Sequence, residues 1–208
     1  MDLIKLLTVI VVSIVIGSIL TGDIVARLKR INLRSQGSGN VGATNAFRSM
    51  GSFYGAVVLA GDTLKGVVAV LIGRYLGEAF GIDLAAVSGL MVIIGHNWSI
   101  FAGFKGGKGI ATSLGVIIAL TPMSLVIVLP AWLIFFFSSG FVSLASIVAA
   151  VAYPISVFIF YSGSYYKCGL ALLLGIIAIY RHRENIRRLM QGCENRILYK
   201  DKRSAKKE

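Results

Sequence analysis

The chain is short of acid: nine Asp and Glu stand against 21 Lys and Arg, for a formal net charge of +12. It also has only three prolines and two cysteines. Cys168 lies in an apolar run and Cys193 in the basic C-terminal segment, so the pair forms neither a disulfide framework nor a metal motif. No metal and no cofactor is expected. With so little proline, the 24 glycines do not read as collagen or linker; many fall inside apolar runs, as in helices that pack closely in lipid. Charge as a whole is scarce. Charged residues make up 14% of the chain and hydrophobic residues 56%, and the mean hydropathy is +0.81, more apolar surface than a small water-soluble fold can bury. This is the composition of a membrane protein.

The basic excess does not mark a nucleic-acid binder. Ten of the 21 basic residues lie from Arg181 onward and five lie between Arg27 and Arg48. Clusters beside apolar runs set membrane orientation, and no soluble module is present to display the charge to nucleic acid.

A bilayer core takes about 20 apolar residues per helix. Five windows qualify: Leu3 to Leu20, Phe53 to Leu76, Leu84 to Phe101, Ile110 to Phe137 and Phe141 to Tyr161. Cys168 to Tyr180 is a shorter sixth. The first lacks an A-x-A-like cleavage site and reads as an uncleaved helix. The 28 residues from Ile110 to Phe137 are too many for one upright span, and Thr121-Pro122 predicts a break between helices at Ile110 to Leu120 and Met123 to Phe137. The fold class expected is therefore all-α, a polytopic membrane protein of seven helices covering 1–192, followed by a disordered basic tail at 193–208.

Charge fixes the expected orientation. With seven spans and the N-terminus outside, the Arg27 to Arg48 loop, the Lys105/Lys108 loop, the Ser138 to Val142 turn and the C-terminus are all cytoplasmic, and 17 of the 21 basic residues fall on that side. Six spans would split the clusters between compartments. No internal repeat of the kind found in many transporters is evident.

The polar loops thus collect on one face. In "GSGNVGATNAFR", Gly37, Gly39 and Gly42 satisfy G-x-G-x-x-G and Asp62 lies twenty residues further on, but a dinucleotide fold needs a strand and a βαβ unit, not flanking membrane helices. The local physics remains: glycines let N–H groups converge on an anion, Ser38, Asn40, Thr44 and Asn45 add hydrogen-bonding groups, and Arg48 adds a fork suited to phosphate. In "GFKGGKGIATS", Lys105 and Lys108 flank Gly106-Gly107 at the start of a helix, where an anion is favoured. It is no Walker A loop, because Ala102 stands where the first glycine belongs and Gly109 follows Lys108. His96 and Asn97 sit in an apolar segment, and Asp62 and Lys65 share a helix face as a mutually neutralising pair. In "YRHRENIRRL", His182 and Asn185 also share a face, and His182 is the general-base candidate.

Three motifs in this order, S-x-N-x-G-A-T-N (Ser38 to Asn45), G-F-K-G-G-K-G-I-A-T (Gly103 to Thr112) and R-H-R-E-N (Arg181 to Asn185), closely resemble the bacterial acyl-phosphate:glycerol-3-phosphate acyltransferase family. The resemblance runs to about Gly192. It implies a seven-helix inner-membrane enzyme of phospholipid synthesis with a cytoplasmic active site. The implied reaction moves a fatty acyl group from acyl-phosphate to the sn-1 hydroxyl of glycerol 3-phosphate, giving lysophosphatidic acid and phosphate, without acyl-CoA or acyl carrier protein as donor. Carried over by position, Ser38, Asn40, Gly42, Thr44, Asn45 and Arg48 hold a substrate headgroup, Lys105, Gly106, Gly107 and Lys108 cradle phosphate, Ser143 lines the site, and His182, Asn185 and Lys108 are catalytic. Membrane lipid is the remaining partner. An acyl phosphate carries a good leaving group, so no acyl-enzyme is needed, and no serine sits in a G-x-S-x-G elbow. Two other readings stand beside it: a small-anion permease, which calls for broken helices meeting at the midplane, and a structural membrane subunit, which leaves the glycine-lysine loops without a purpose.

Overall fold

The computed structural model describes residues 1–197 of the chain. The chain winds into helices α1 (Asp2–Ser18), α2 (Thr21–Leu28), α3 (Ala43–Met50), α4 (Ser52–Leu76), α5 (Leu84–Asn97), α6 (Ile110–Leu120), α7 (Leu125–Ser139), α8 (Val142–Tyr161), α9 (Tyr165–Arg181) and α10 (Arg183–Met190). A two-residue antiparallel ribbon, Glu78–Ala79 with Ile82–Asp83, closes the turn after α4 and is the one departure from an all-helical chain among the described residues. Five segments are long and apolar enough to cross a membrane: Asp2–Leu28, Ser52–Leu76, Leu84–Ala102, Pro122–Ser139 and Val142–Tyr161.

Helix boundaries follow local chemistry. Asp83 caps α5 by accepting from the N–H groups of Ala85 and Ala86, and Ser164 caps α9 by accepting from Lys167. That cap starts α9 three residues before the expected Cys168. The break at Thr121-Pro122 is present, but Pro122–Ser124 first winds a 3-10 turn, so α7 begins at Leu125 rather than Met123. The helix expected to reach Phe101 stops at Asn97, and Ile100–Ala102 forms a separate turn. Between α1 and α2 the backbone is extended at Ile19 and Leu20, which leaves the Ile19 carbonyl free for a side chain.

Glycine sets the closest helix crossings. A Cβ at Gly115 would lie 2.0 Å from the Thr63 carbonyl oxygen and one at Gly66 2.4 Å from that of Thr112, so α4 and α6 meet backbone to backbone. Gly17 against Val92 and Gly95 against Ile14 do the same for α1 and α5. Between these contacts lies a core of Val70, Val92, Val116, Tyr153, Val157 and Leu174, drawn from α4, α5, α6, α8 and α9. The outer surface is apolar too: Phe53 and Phe158 are each 70% exposed and Ile176 is 64% exposed, the pattern of a bundle whose solvent is lipid.

The tail departs from expectation at its start. Residues 193–197 turn back onto the bundle: the Ile197 N–H donates to the Gly140 carbonyl, and the Asn195 carbonyl accepts from Arg48. The rest of the expected basic tail, 198–208, lies outside the described residues.

Candidate active site

The Gly103 to Thr112 loop is fastened from below and from the side. The N–H groups of Gly106 and Gly107 donate to the carbonyls of Asn97 and His96, at 3.2 and 3.1 Å. Arg181, at the end of α9, reaches over the loop and donates to the Gly107 carbonyl through Nε (3.1 Å) and Nη2 (2.6 Å), and to that of Gly106 (3.2 Å). Trp98 packs under the same guanidinium, 5.4 Å from ring centroid to Cζ. Gly106 and Gly107, expected with Lys105 and Lys108 to cradle phosphate, thus have their own N–H groups engaged within the protein. The loop instead presents the first turn of α6, whose N–H groups have no helical acceptor. Gly109 is its N-cap, at φ 79°, a left-handed conformation that glycine adopts without strain.

Beneath the loop lies a buried polar node. Lys65 Nζ donates to Asp62 Oδ1 at 2.7 Å, to the freed Ile19 carbonyl at 2.8 Å, and lies 2.8 Å from His96 Nδ1. Thr21 Oγ1 also donates to Asp62. An ammonium has no lone pair to offer, so His96 Nδ1 accepts and its proton sits on Nε2. A Cβ on Gly107 would fall 2.2 Å from that Nε2, so only glycine lets the loop lie on the imidazole. Asp62 and Lys65 thus form the expected mutually satisfying pair, and His96 links it to the loop.

The Ser38 to Arg48 motif divides into scaffold and functional groups. Asn45 is 1% exposed and its amide is fully engaged: Nδ2 donates to the Leu33 and Gln36 carbonyls, and Oδ1 accepts from the Ser38 N–H. It was expected to contact substrate; here it shapes the loop. Asn40 closes an Asx turn by accepting from the Gly42 N–H at 3.2 Å, and Gly42 caps α3. Thr44 is half-buried in the first turn of α3, and Ser38 is exposed at the loop tip. Arg48 points from α3 to the tail and donates to the Asn195 carbonyl at 3.0 Å.

The convergence is at the third motif. Lys108 Nζ donates to Asn185 Oδ1. Asn185 Nδ2 in turn donates to Glu194 Oε1 at 2.8 Å, and Ser143 Oγ donates to the same oxygen at 3.0 Å. Arg188 pairs with Glu194 Oε2 at 2.7 Å. Lys108, Ser143 and Asn185 thus meet around Glu194, with Arg48 tied to the residue beside it. His182 stands at the edge of this group, 2% exposed, with Nδ1 2.8 Å from the Ala178 carbonyl. A carbonyl can only accept, so Nδ1 carries the proton and Nε2 keeps its lone pair. Lys105 is exposed, and among the described residues no hydrogen bond or ion pair ties it to the cluster.

Electrostatics suit an anionic ligand. Burial lowers the Lys108 ammonium to a pKa of about 8 against the opposing pull of Glu194, with Arg188, Arg181 and Arg48 pushing it down further. Burial, with Lys108 beside it, lowers His182 to about 4, so the imidazole is neutral at physiological pH. Burial lowers Arg48 as well. For Glu194 burial works to raise the pKa, but hydrogen bonds from Asn185, Arg188 and Ser143 outweigh it and the carboxyl is held low. The result is a cationic patch with, among the described residues, the Glu194 carboxylate within it and a neutral lone pair at its rim, able to bind phosphate and to accept a hydrogen bond from a hydroxyl.

Sequence reasoning missed Glu194, Arg188 and Arg181 as parts of this site. Arg181 and Arg188 count among the basic cluster that sets membrane orientation, and Glu194 falls in the segment assigned to a tail. The usable signal was an acid within an almost purely basic run.

The chain as a whole has close relatives. A family model described as glycerol-3-phosphate acyltransferase matches residues 7–192. A glycerol-3-phosphate acyltransferase of Desulforudis audaxviator is 42% identical, over 96% of this chain and all of its own. One of Aquifex aeolicus is 42% identical, over 93% of this chain and all of its own. The crystal structure of PlsY (YgiH), an integral membrane glycerol 3-phosphate acyltransferase, in its glycerol 3-phosphate form, superposes with a TM-score of 0.87 at 38% identity, covering 98% of this chain and 99% of that one. The lysophosphatidic acid form gives 0.84 at 40% identity, covering 92% and 95%. With its second and third motifs meeting at one cationic patch and a family match over nearly its whole length, the chain belongs to the glycerol-3-phosphate acyltransferase family of integral membrane enzymes of phospholipid synthesis.

Proposed function

We propose that this chain transfers a fatty acyl group from acyl-phosphate to the sn-1 hydroxyl of glycerol 3-phosphate, at the cytoplasmic side of the bacterial inner membrane. The observation that carries this reading is the Lys108–Asn185–Ser143 cluster, ringed by Arg48, Arg181 and Arg188: it offers two phosphate-bearing substrates cationic partners. Neither acyl-CoA nor acyl carrier protein is needed as donor. In the membrane, α6 and α9 join the five long spans to make seven, with the N-terminus outside and the C-terminus cytoplasmic, so that the Arg27 to Arg48 loop and the C-terminal residues share a face.

The chemistry is short. The glycerol hydroxyl oxygen attacks the acyl carbonyl carbon, the bond from that carbon to the phosphate oxygen breaks, and the hydroxyl proton ends on the departing phosphate. His182 Nε2 accepts a hydrogen bond from the hydroxyl and aims it at the carbonyl. With a pKa of about 4, His182 serves better to orient that proton than to keep it. Lys108 and the first-turn N–H groups of α6 balance the charge that builds on the departing phosphate. Ser143 and Asn185, aligned by Glu194, contact the headgroup, and Arg48 of α3, tied to the residue beside Glu194, adds its charge, with Ser38 and Thr44 of the neighbouring segment as further partners.

The test is a donor competition. Purified protein in lipid vesicles is given glycerol 3-phosphate with palmitoyl phosphate or palmitoyl-CoA, and the product ester is located by NMR. Acylation at the 1-position from palmitoyl phosphate alone is expected; turnover from palmitoyl-CoA at a comparable rate overturns the donor assignment.

A further inference from the structure

Among the described residues, Glu194 is the carboxylate in a site that otherwise gathers cations: Lys108, Arg48, Arg181 and Arg188. For binding phosphate it is the wrong group, since it repels the ligand and offsets part of the positive charge. Holding Ser143 and Asn185 in place does not call for a charge either, because the neutral oxygen of an amide accepts two hydrogen bonds equally well. The carboxylate is nevertheless placed with care. On one side of it the Cys193 N–H donates to the Arg188 carbonyl at 2.9 Å; on the other the Asn195 carbonyl accepts from Arg48 and the Ile197 N–H donates to the Gly140 carbonyl, each at 3.0 Å. The Glu194 side chain is 5% exposed.

Its hydrogen bonds leave one position open. An ionised carboxylate has about four acceptor sites, shared between its two oxygens. Oε1 is filled, by Ser143 Oγ at 3.0 Å and Asn185 Nδ2 at 2.8 Å. Oε2 accepts from Arg188 Nε at 2.7 Å, and among the described residues no second donor meets it. This oxygen belongs to the reaction site and not to a remote ion pair. Asn185, which fixes Oε1, also accepts from Lys108, and the Glu194 charge is near enough to His182 and Lys108 to work against the lowering of both by burial.

We infer that Glu194 Oε2 accepts a hydrogen bond from the second hydroxyl of glycerol 3-phosphate, the one that is not acylated, and so selects a polyol phosphate as acyl acceptor. The inference rests on the acyltransferase reading of the site. Glycerol 3-phosphate brings a phosphate, which the cations hold, and two hydroxyls on adjacent carbons. His182 Nε2 aims the first at the acyl carbonyl, so the group that reads the second has to stand beside it and has to be an acceptor. A carboxylate meets both conditions, and a hydrogen bond to a charged acceptor is stronger than one to an amide. The acyl donor carries no hydroxyl, and the same charge repels its phosphate from the acceptor's place. A triose phosphate with a carbonyl at the second carbon has no proton to donate there and is rejected for the same reason.

The experiment is a cycle between residue and substrate, on the full-length protein in lipid vesicles with palmitoyl phosphate as donor. The acceptors are glycerol 3-phosphate and 3-hydroxypropyl phosphate, which lacks only the second hydroxyl. The unsubstituted protein is expected to favour glycerol 3-phosphate about tenfold or more in kcat/KM. Glu194→Ala is expected to bring that ratio close to one, and Glu194→Gln, which keeps an acceptor oxygen without the charge, to leave it in between. Misalignment of Ser143 and Asn185 by itself slows both acceptors alike, so an equal loss on the two in Glu194→Ala overturns the inference. Equal use of both acceptors by the unsubstituted protein overturns it without any variant, while the acyltransferase reading stands. No product from either acceptor in folded, unsubstituted protein overturns that reading and the inference with it.

Discussion

At Lys108, burial brings the ammonium to a pKa of about 8 even though Glu194 pulls the other way, so its charge is lost just above physiological pH. Because the pKa is depressed, the cationic form prevails below about 8 and disappears as the pH rises through that value. In the free enzyme this gives kcat/KM for glycerol 3-phosphate a falling limb above pH 8. Lys108→Arg, which keeps its charge throughout, is expected to remove the limb while lowering the plateau, as measured by a pH–rate profile. His182 behaves differently. Neutral down to about pH 4, it remains an acceptor across the working range, and His182→Ala is expected to lower kcat by 10²-fold or more, roughly the value of an orienting acid–base group, with little change in KM for the donor. Full turnover in a folded His182→Ala protein would remove the imidazole from the mechanism. These two residues could be singled out from the motifs alone. The scaffold role of Asn45 could not, because an amide that binds substrate and an amide that folds a loop occupy a motif in the same way; only the partners at Leu33, Gln36 and Ser38 distinguish them.

Among the elements, α4 holds the Gly103 to Thr112 loop in place. Its Lys65 ties Asp62, the freed Ile19 carbonyl and His96 into one buried node, and His96 underlies Gly107. Removing one partner leaves a buried charge without compensation, so Lys65→Met or Asp62→Asn is expected to destabilise the protein by about 3–5 kcal/mol, and the double variant by less than the larger single effect. Unfolding measured in detergent checks this, and additive losses would contradict it. Gly115→Leu forces a side chain onto the Thr63 backbone at the α4–α6 crossing and is expected to abolish the fold. Helix positions were legible from hydropathy and from Pro122. Helix ends were less so: the Ser164 cap, the 3-10 turn after Thr121 and the stop at Asn97 depend on single hydrogen bonds and backbone angles that hydropathy does not register.

For the whole molecule, the sequence carried the membrane class, because charge asymmetry and apolar runs are local signals. It did not carry the return of residues 193–197 to the site, since Glu194 acts through contacts with Ser143, Asn185 and Arg188 that are distant in sequence or span the end of α10. Glu194→Ala is expected to raise KM for glycerol 3-phosphate several-fold by freeing Asn185 and Ser143, with Glu194→Gln intermediate, in steady-state kinetics. The clustering of polar motifs at one end of the bundle, rather than at its midplane, favours surface chemistry over transport. The most direct measurement gives purified protein in lipid vesicles only glycerol 3-phosphate and palmitoyl phosphate, and follows lysophosphatidic acid and inorganic phosphate together. Direct acyl transfer predicts that the two appear in equal amounts; phosphate released without lysophosphatidic acid, or no turnover from folded protein, would contradict it.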